Sequence, residues 1–222
     1  MIAPVSRLTK KEIVWLGKHR CKHNHTYLEH YNCYLGDNPQ GQTIGFFDIE
    51  TTGFKADFSL MLCYCIKVGG SDEVLERLIT KKEMHSPDMD KQVVRACVND
   101  MMKFDVLVTH YGTRFDLPFT RSRARAQGIP FPPYGELTHK DTYYIARAKL
   151  QLSANRQYHI HRFLFGEAAR THLDPKVWLK ASHQGDTKSL KYILDHCRAD
   201  VEDLEHIYNE LENYSLRSFR SV

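Results

Sequence analysis

The sequence predicts a mixed α/β fold, and three observations lead there. Four short runs rich in β-forming residues, and a fifth short extended piece around Asp141, lie between residues 44 and 141. Helical periodicity fills the gap between the third and fourth runs, and again between the fourth and fifth. Beyond residue 142 the pattern is helical to the C-terminus. Strands first, then strand–helix alternation, then helices is a layered α/β order.

The elements can be justified in turn. IGFFDIE (44–50) is a short, largely apolar run that reads as a buried strand. LMLCYCIKV (60–68) is a second strand, on which Cys63 and Cys65 share one face, and VLERLI (74–79) is a third. In residues 88–103, Val93, Val94, Cys97, Val98 and Met101 fall on one helical stripe. DVLVTH (105–110) is a buried strand. Residues 116–127 form a helix that Gly128 ends, ahead of the Pro-rich IPFPP. A short extended piece surrounds Asp141. Residues 1–43 differ in character: KHRCKHNHTYLEHYNC is dense in His and Cys, and Gly36 to Gln42 read as a linker or long loop. The expected division is an extension over 1–43 and a main domain over 44–222.

Composition narrows the class. The chain has 222 residues, 42% apolar and 26% charged, which suits one globular domain with a short appendage. No run approaches the roughly 20 apolar residues of a membrane span, so no membrane partner is expected. The N-terminus does not read as a secretory signal. The six irregularly spaced cysteines are expected as reduced thiols in a cytoplasm, or in a host cytoplasm if the source is viral. A net charge of +4 is compatible with a nucleic-acid partner without requiring one.

Three segments carry chemistry. Asp48 and Glu50 are two apart on the first strand, so both side chains leave one face. Flanked by Phe and Ile, two carboxylates there are costly unless a cation neutralises them, and hard oxygen donors suit Mg²⁺ or Mn²⁺. A solvated, idle strand end is the alternative. Asp116 follows an apolar strand and the Gly112 loop at a helix start, where an acid also serves as a simple cap. His196 and Asp200 are four apart on a helix and face the same way, which suits either a water-activating pair or a surface ion pair.

Taken together, DIETTG, then FDLPF, then HCRADVEDL resemble the three exonuclease motifs of the DEDD superfamily. That superfamily includes the proofreading domains of B-family DNA polymerases and the ribonuclease D group. The resemblance spans residues 43–214 and implies an RNase H-like fold: a mixed five-stranded sheet flanked by helices. It implies that Asp48, Glu50, Asp116 and Asp200 are metal-binding acids and that His196 holds the general-base position. It implies two Mg²⁺ or Mn²⁺ about 3.5–4 Å apart and phosphodiester hydrolysis from a single-stranded 3′ end. DNA is favoured over RNA because FDLPF looks like the proofreading motif. Proofreading by a chain this short would use a replication or repair protein as partner. A structure-specific endonuclease and a non-catalytic nucleic-acid-binding module are the alternatives.

Two departures from the family pattern stand out. Relatives with a four-residue step to the last acid usually carry Tyr at the base position, whereas this chain has His196. Tyr111 stands where many relatives have Asn. Tyr192 is a weaker candidate for the base, read as core. For substrate, the backbone at Thr51 and Thr52 is implied to approach the terminal sugar. Arg121, with Arg123 and Arg125 on the same helix, could meet phosphates or form a solvated face. Phe54, Phe58 and Tyr111 could stack bases, although such aromatics are more often core. Asp141 resembles a recurrent structural acid.

The last signal is Cys21, His23, His30 and Cys33. Two thiols and two imidazoles suit a tetrahedral Zn²⁺. The alternative is a helix and loop that pack their histidines on the main domain.

Overall fold

The computed structural model describes residues 10–37, 43–133, 136–166 and 174–215. Its centre is a five-stranded sheet. Ile44–Thr51 is β1, Met61–Val68 is β2, Val74–Leu78 is β3, Val106–Thr109 is β4 and Thr138–Asp141 is β5. The order across the sheet is β3-β2-β1-β4-β5. β1, β2 and β3 pair antiparallel, whereas β4 joins β1, and β5 joins β4, in parallel. The sheet is therefore mixed, as expected, with both faces covered by helices.

Among the described residues, two helices precede the sheet, α1 (Lys10–Lys18) and α2 (Tyr31–Asp37). α3 (Lys81–Met84) and α4 (Lys91–Met101) link β3 to β4, and α5 (Asp116–Ala126) links β4 to β5. α6 (Thr142–Lys149), α7 (Gln157–Phe165), α8 (Pro175–Gln184) and the 29-residue α9 (Thr187–Ser215) follow. The stripe Val93, Val94, Cys97, Val98 and Met101 is wholly buried against the sheet. α5 ends where Gly128 adopts φ +67°, a left-handed turn that suits glycine.

The period-2 rule assigns the faces of β1. Phe46 meets Tyr208 of α9 edge to face, with ring centroids 5.6 Å apart. Asp48 and Glu50, two and four residues on, must then also face α9. Their antiparallel partners are Cys65 and Cys63. α9 is tied to the same face by ion pairs, Lys67 with Glu205 at 2.5 Å and Arg198 with Glu76.

The opposite face meets α4 and α5, and one buried ion pair organises it. Arg123 donates to both carboxylate oxygens of Asp90, at 2.5 and 2.8 Å, and to the carbonyl of Ala56 at 3.0 Å. Asp90 also accepts from Met61 N–H. This cross-link holds the loop after β1 to both helices. It corrects the expectation that Arg123 is available to phosphates.

The extension docks through Leu16, which is fully buried, and through Lys11, whose Nζ donates to the carbonyl of Met102 at 3.1 Å. Gly36 and Asp37, expected in a loop, close α2 instead. The rest of that expected loop, residues 38–42, lies outside the described residues. Among the described residues no helix is long and apolar enough to cross a membrane.

Candidate active site

Three elements converge beside the end of β1. β1 supplies Asp48 and Glu50, α5 supplies Asp116 at its first residue, and α9 supplies His196 and Asp200. Ligand atoms of Glu50, His196 and Asp200 all lie within 4.8 Å of one another. His196 Nε2 is 3.2 Å from Asp200 Oδ2, and both side chains are largely shielded. Asp116 is buried, and its Oδ1 accepts the backbone N–H of Ile49 at 3.2 Å. It therefore reaches across to β1 and does not act as the cap of its own helix, where Phe115 holds the cap position without a side-chain bond.

The electrostatics follow from crowding acids in a shielded place. Burial, then the neighbouring Asp116, Asp200 and Glu50, hold the Asp48 carboxyl well above its ordinary range. Burial, then Asp200 and Asp116, push Glu50 up to about 8. Burial pushes Asp116 up to about 7, although its backbone hydrogen bonds pull the other way. The charges that bear most strongly on Asp48 and Glu50 are thus other carboxylates. Hard, anionic oxygen donors held together at this cost fit divalent Mg²⁺ or Mn²⁺.

One neighbour of the cluster was not singled out from the sequence. Cys197 Sγ is 3.3 Å from Asp48 Oδ2, to which it donates. Its place next to His196 on the inward side of α9 was the available clue. Gln157 was also missed; its Nε2 donates to the backbone carbonyl of Asp200 at 2.8 Å and steadies that turn of α9.

Asp141 holds the loop that delivers Asp116. Its Oδ1 accepts Tyr111 N–H at 2.8 Å, and its Oδ2 accepts Thr113 N–H at 3.0 Å and the Thr113 hydroxyl at 2.6 Å. It also caps α6 through Tyr143 N–H. Tyr111 is thereby kept at φ +65°, an uncommon conformation for a bulky residue. Gly112 beside it has no room for a Cβ, which would strike the Thr109 side chain. His110 is half-buried below this loop between Thr142 and the carbonyl of Asn155, and desolvation depresses it to about 4.

The remaining candidates are placed as follows. Thr51 is buried and its hydroxyl donates to the carbonyl of Gly53, while the Thr52 hydroxyl accepts from Leu60 N–H. Both side chains thus brace the loop after β1. Phe54 and Phe58 on that loop are 81% and 89% exposed, not core. Tyr192 is exposed as well, contrary to its reading as core. Arg121 lies over the ring of Phe131 at 5.2 Å, where with His139 and Leu137 it lines a groove of about 780 Å³. Five residues beyond Asp116, it leaves α5 on a different side from that acid.

Among the described residues, two histidine clusters lie elsewhere. Cys21, His23, His30 and Cys33 come together, with ligand atoms within 4.8 Å of one another. The same holds for His161, Asp203 and His206, which the sequence reading did not single out.

Comparison with known proteins bears on this arrangement. A family model, RNase_H_2 of the RNase H superfamily, matches residues 45–212. No curated protein matches the chain. Among solved structures, the family B DNA polymerase from the hyperthermophilic archaeon Pyrobaculum calidifontis is similar with a TM-score of 0.62 at 16% identity. The match covers 77% of this chain and 24% of the polymerase, so the chain spans under a quarter of that protein's length. At this identity the likeness is one of fold.

Proposed function

The chain belongs to the RNase H superfamily, and we propose that it is a divalent-metal-dependent 3′→5′ exonuclease of the DEDD type. Its substrate is single-stranded nucleic acid, DNA in preference to RNA, and its catalytic domain runs over residues 44–222. The observation that supports this reading is the convergence of four acids: Glu50 and Asp200 cluster with His196, and Asp116 and Asp200 raise the proton affinity of both Asp48 and Glu50.

Asp48 and Asp200 would share one cation, with Asp48, Glu50 and Asp116 serving the second. When bound, two Mg²⁺ or Mn²⁺ neutralise the acids, make water nucleophilic at neutral pH and stabilise the departing 3′ oxygen. His196 would take the proton of the attacking water at Nε2, the nitrogen facing the cluster. The negative charge of the nearby Asp200 would stabilise the resulting imidazolium without a second hydrogen bond at Nε2. Glu50 would orient the water or the terminal nucleotide. The braced loop at Thr51 and Thr52 would seat the terminal sugar, and Tyr111 at its forced φ would contact the same end. Phe54 and Phe58 are exposed enough to stack on unpaired bases. Arg121 would meet phosphates further along the strand.

The test is incubation with 5′-labelled single-stranded DNA and its RNA counterpart, with Mg²⁺ or Mn²⁺, beside Asp48→Ala. The expected result is a ladder shortening from the 3′ end, faster on DNA, and absent with chelator or in the variant. Internal cuts on 3′-blocked strands would instead identify an endonuclease. Binding without cleavage under every metal condition would identify a non-catalytic module.

A further inference from the structure

We propose that Cys21, His23, His30 and Cys33 form a tetrahedral Zn²⁺ site that fixes the two helices of the N-terminal extension to each other. The proposal stands apart from the exonuclease reading and uses none of its residues.

The geometry of the four donor atoms carries it. Both imidazoles turn Nδ1 toward both sulfurs. Cys21 Sγ lies 3.8 Å from His23 Nδ1 and 3.6 Å from His30 Nδ1. Cys33 Sγ lies 3.3 Å from His23 Nδ1 and 3.6 Å from His30 Nδ1. Zinc–sulfur bonds of about 2.3 Å and zinc–nitrogen bonds of about 2.0–2.1 Å at the tetrahedral angle require S···N edges of about 3.6 Å. All four edges fall close to that value.

Hydrogen bonding alone does not account for the arrangement. An Nδ1 has one in-plane direction and one role, donor or acceptor, so it makes one good hydrogen bond. Here each Nδ1 faces two sulfurs, and at most two of the four contacts can carry a proton. A central cation satisfies all four together. Two thiolates and two neutral imidazoles exactly balance a 2+ charge, and this mix of soft and borderline donors in a tetrahedron suits zinc above Mg²⁺ or Mn²⁺.

The backbone already holds the donors in place. Asn24, at φ +65°, makes the turn in which Asn24 N–H donates to the Cys21 carbonyl and Cys21 N–H to the His25 carbonyl, each at 2.9 Å. That turn brings His23 back over Cys21. Thr26 and Glu29 cap each other, and His30 and Cys33 follow on the next turns, with Cys33 N–H donating to the His30 carbonyl at 3.0 Å. The site so formed joins α1 to α2. α1 docks near Met102 and Asp105, at the end of the sheet where β1 begins. The carboxylates lie about 15 Å along β1 from there, at 3.3 Å per residue. Zinc in the extension supports the fold and takes no part in hydrolysis.

The experiment is metal analysis of the full chain, purified without added zinc and passed over chelating resin. About one zinc per chain is expected in the wild type and in Asp48→Ala, and under a tenth of that in Cys33→Ser. Should Cys33→Ser fail to fold, the wild type refolded with Co²⁺ carries the test. Thiolate-to-cobalt absorption in the near ultraviolet with intense tetrahedral visible bands is then expected. Zinc extraction should lower the melting temperature and leave magnesium-dependent cleavage unchanged where both forms are folded. A wild type without zinc and without these cobalt bands would overturn the proposal. So would a Cys21–Cys33 disulfide in the freshly purified, unreduced chain.

Discussion

Glu50→Gln is expected to stabilise the metal-free protein while abolishing its activity. Glu50 is raised from 4.5 to about 8 in the fold, by burial first and by Asp200 and Asp116 next. The sign follows from linkage. A carboxyl whose proton affinity rises on folding favours the folded state at low pH, below its unfolded value. That advantage is lost as pH climbs through about 8. At about 1.4 kcal/mol per unit, the shift caps the effect near 5 kcal/mol. Glu50 is only half-buried, and solvent screening brings the expected value to about 2 kcal/mol. For a chain of this size that is about 4–8 °C in melting temperature. The assay is thermal unfolding between pH 5 and 8.5 in buffer freed of divalent cation by chelating resin. The wild type should lose stability as pH rises and regain it with Mg²⁺. The Gln variant should melt higher than wild type at pH 8.5, match it near pH 5 and gain less from Mg²⁺. A variant less stable than wild type at pH 8.5 without metal would refute the reasoning, since the acids would then not be repelling one another.

Three further outcomes are expected. His196→Ala should lower kcat by about 10²–10³ with little change in binding of single-stranded DNA, measured by single-turnover cleavage and fluorescence anisotropy. Arg123→Ala leaves Asp90 charged and buried without its partner, and should cost about 3–5 kcal/mol in denaturant unfolding. Asp141→Ala frees Tyr111 and Thr113, and should cost about 2 kcal/mol and lower activity through the displaced Asp116, read by unfolding and cleavage side by side.

Local pattern was enough to place the sheet. β1, β2 and β4 are buried runs whose apolarity is written in adjacent residues, and the α4 stripe lies within one short window. The carboxylate cluster was legible for a different reason: its members sit in three short motifs, two of which pair acids or bases on one face. What escaped depends on contacts between distant segments. Nothing near Asp90 announces Arg123, 33 residues away, as its partner. Cys197 looks like any core thiol until α9 lies over Asp48. Phe54 and Phe58 stand exposed on the loop after β1 and Tyr192 on the outer side of α9, which their own composition does not encode. In residues 21–33 the donor types were legible, but not that both Nδ1 atoms turn inward.

The most direct test of the carboxylate cluster as a two-cation centre is anomalous diffraction from crystals grown or soaked with Mn²⁺. Two peaks are expected at the cluster, one between Asp48 and Asp200 and the other resting on Asp48. Crystals that bind Mn²⁺ only elsewhere, with the four acids undisturbed, would contradict the account.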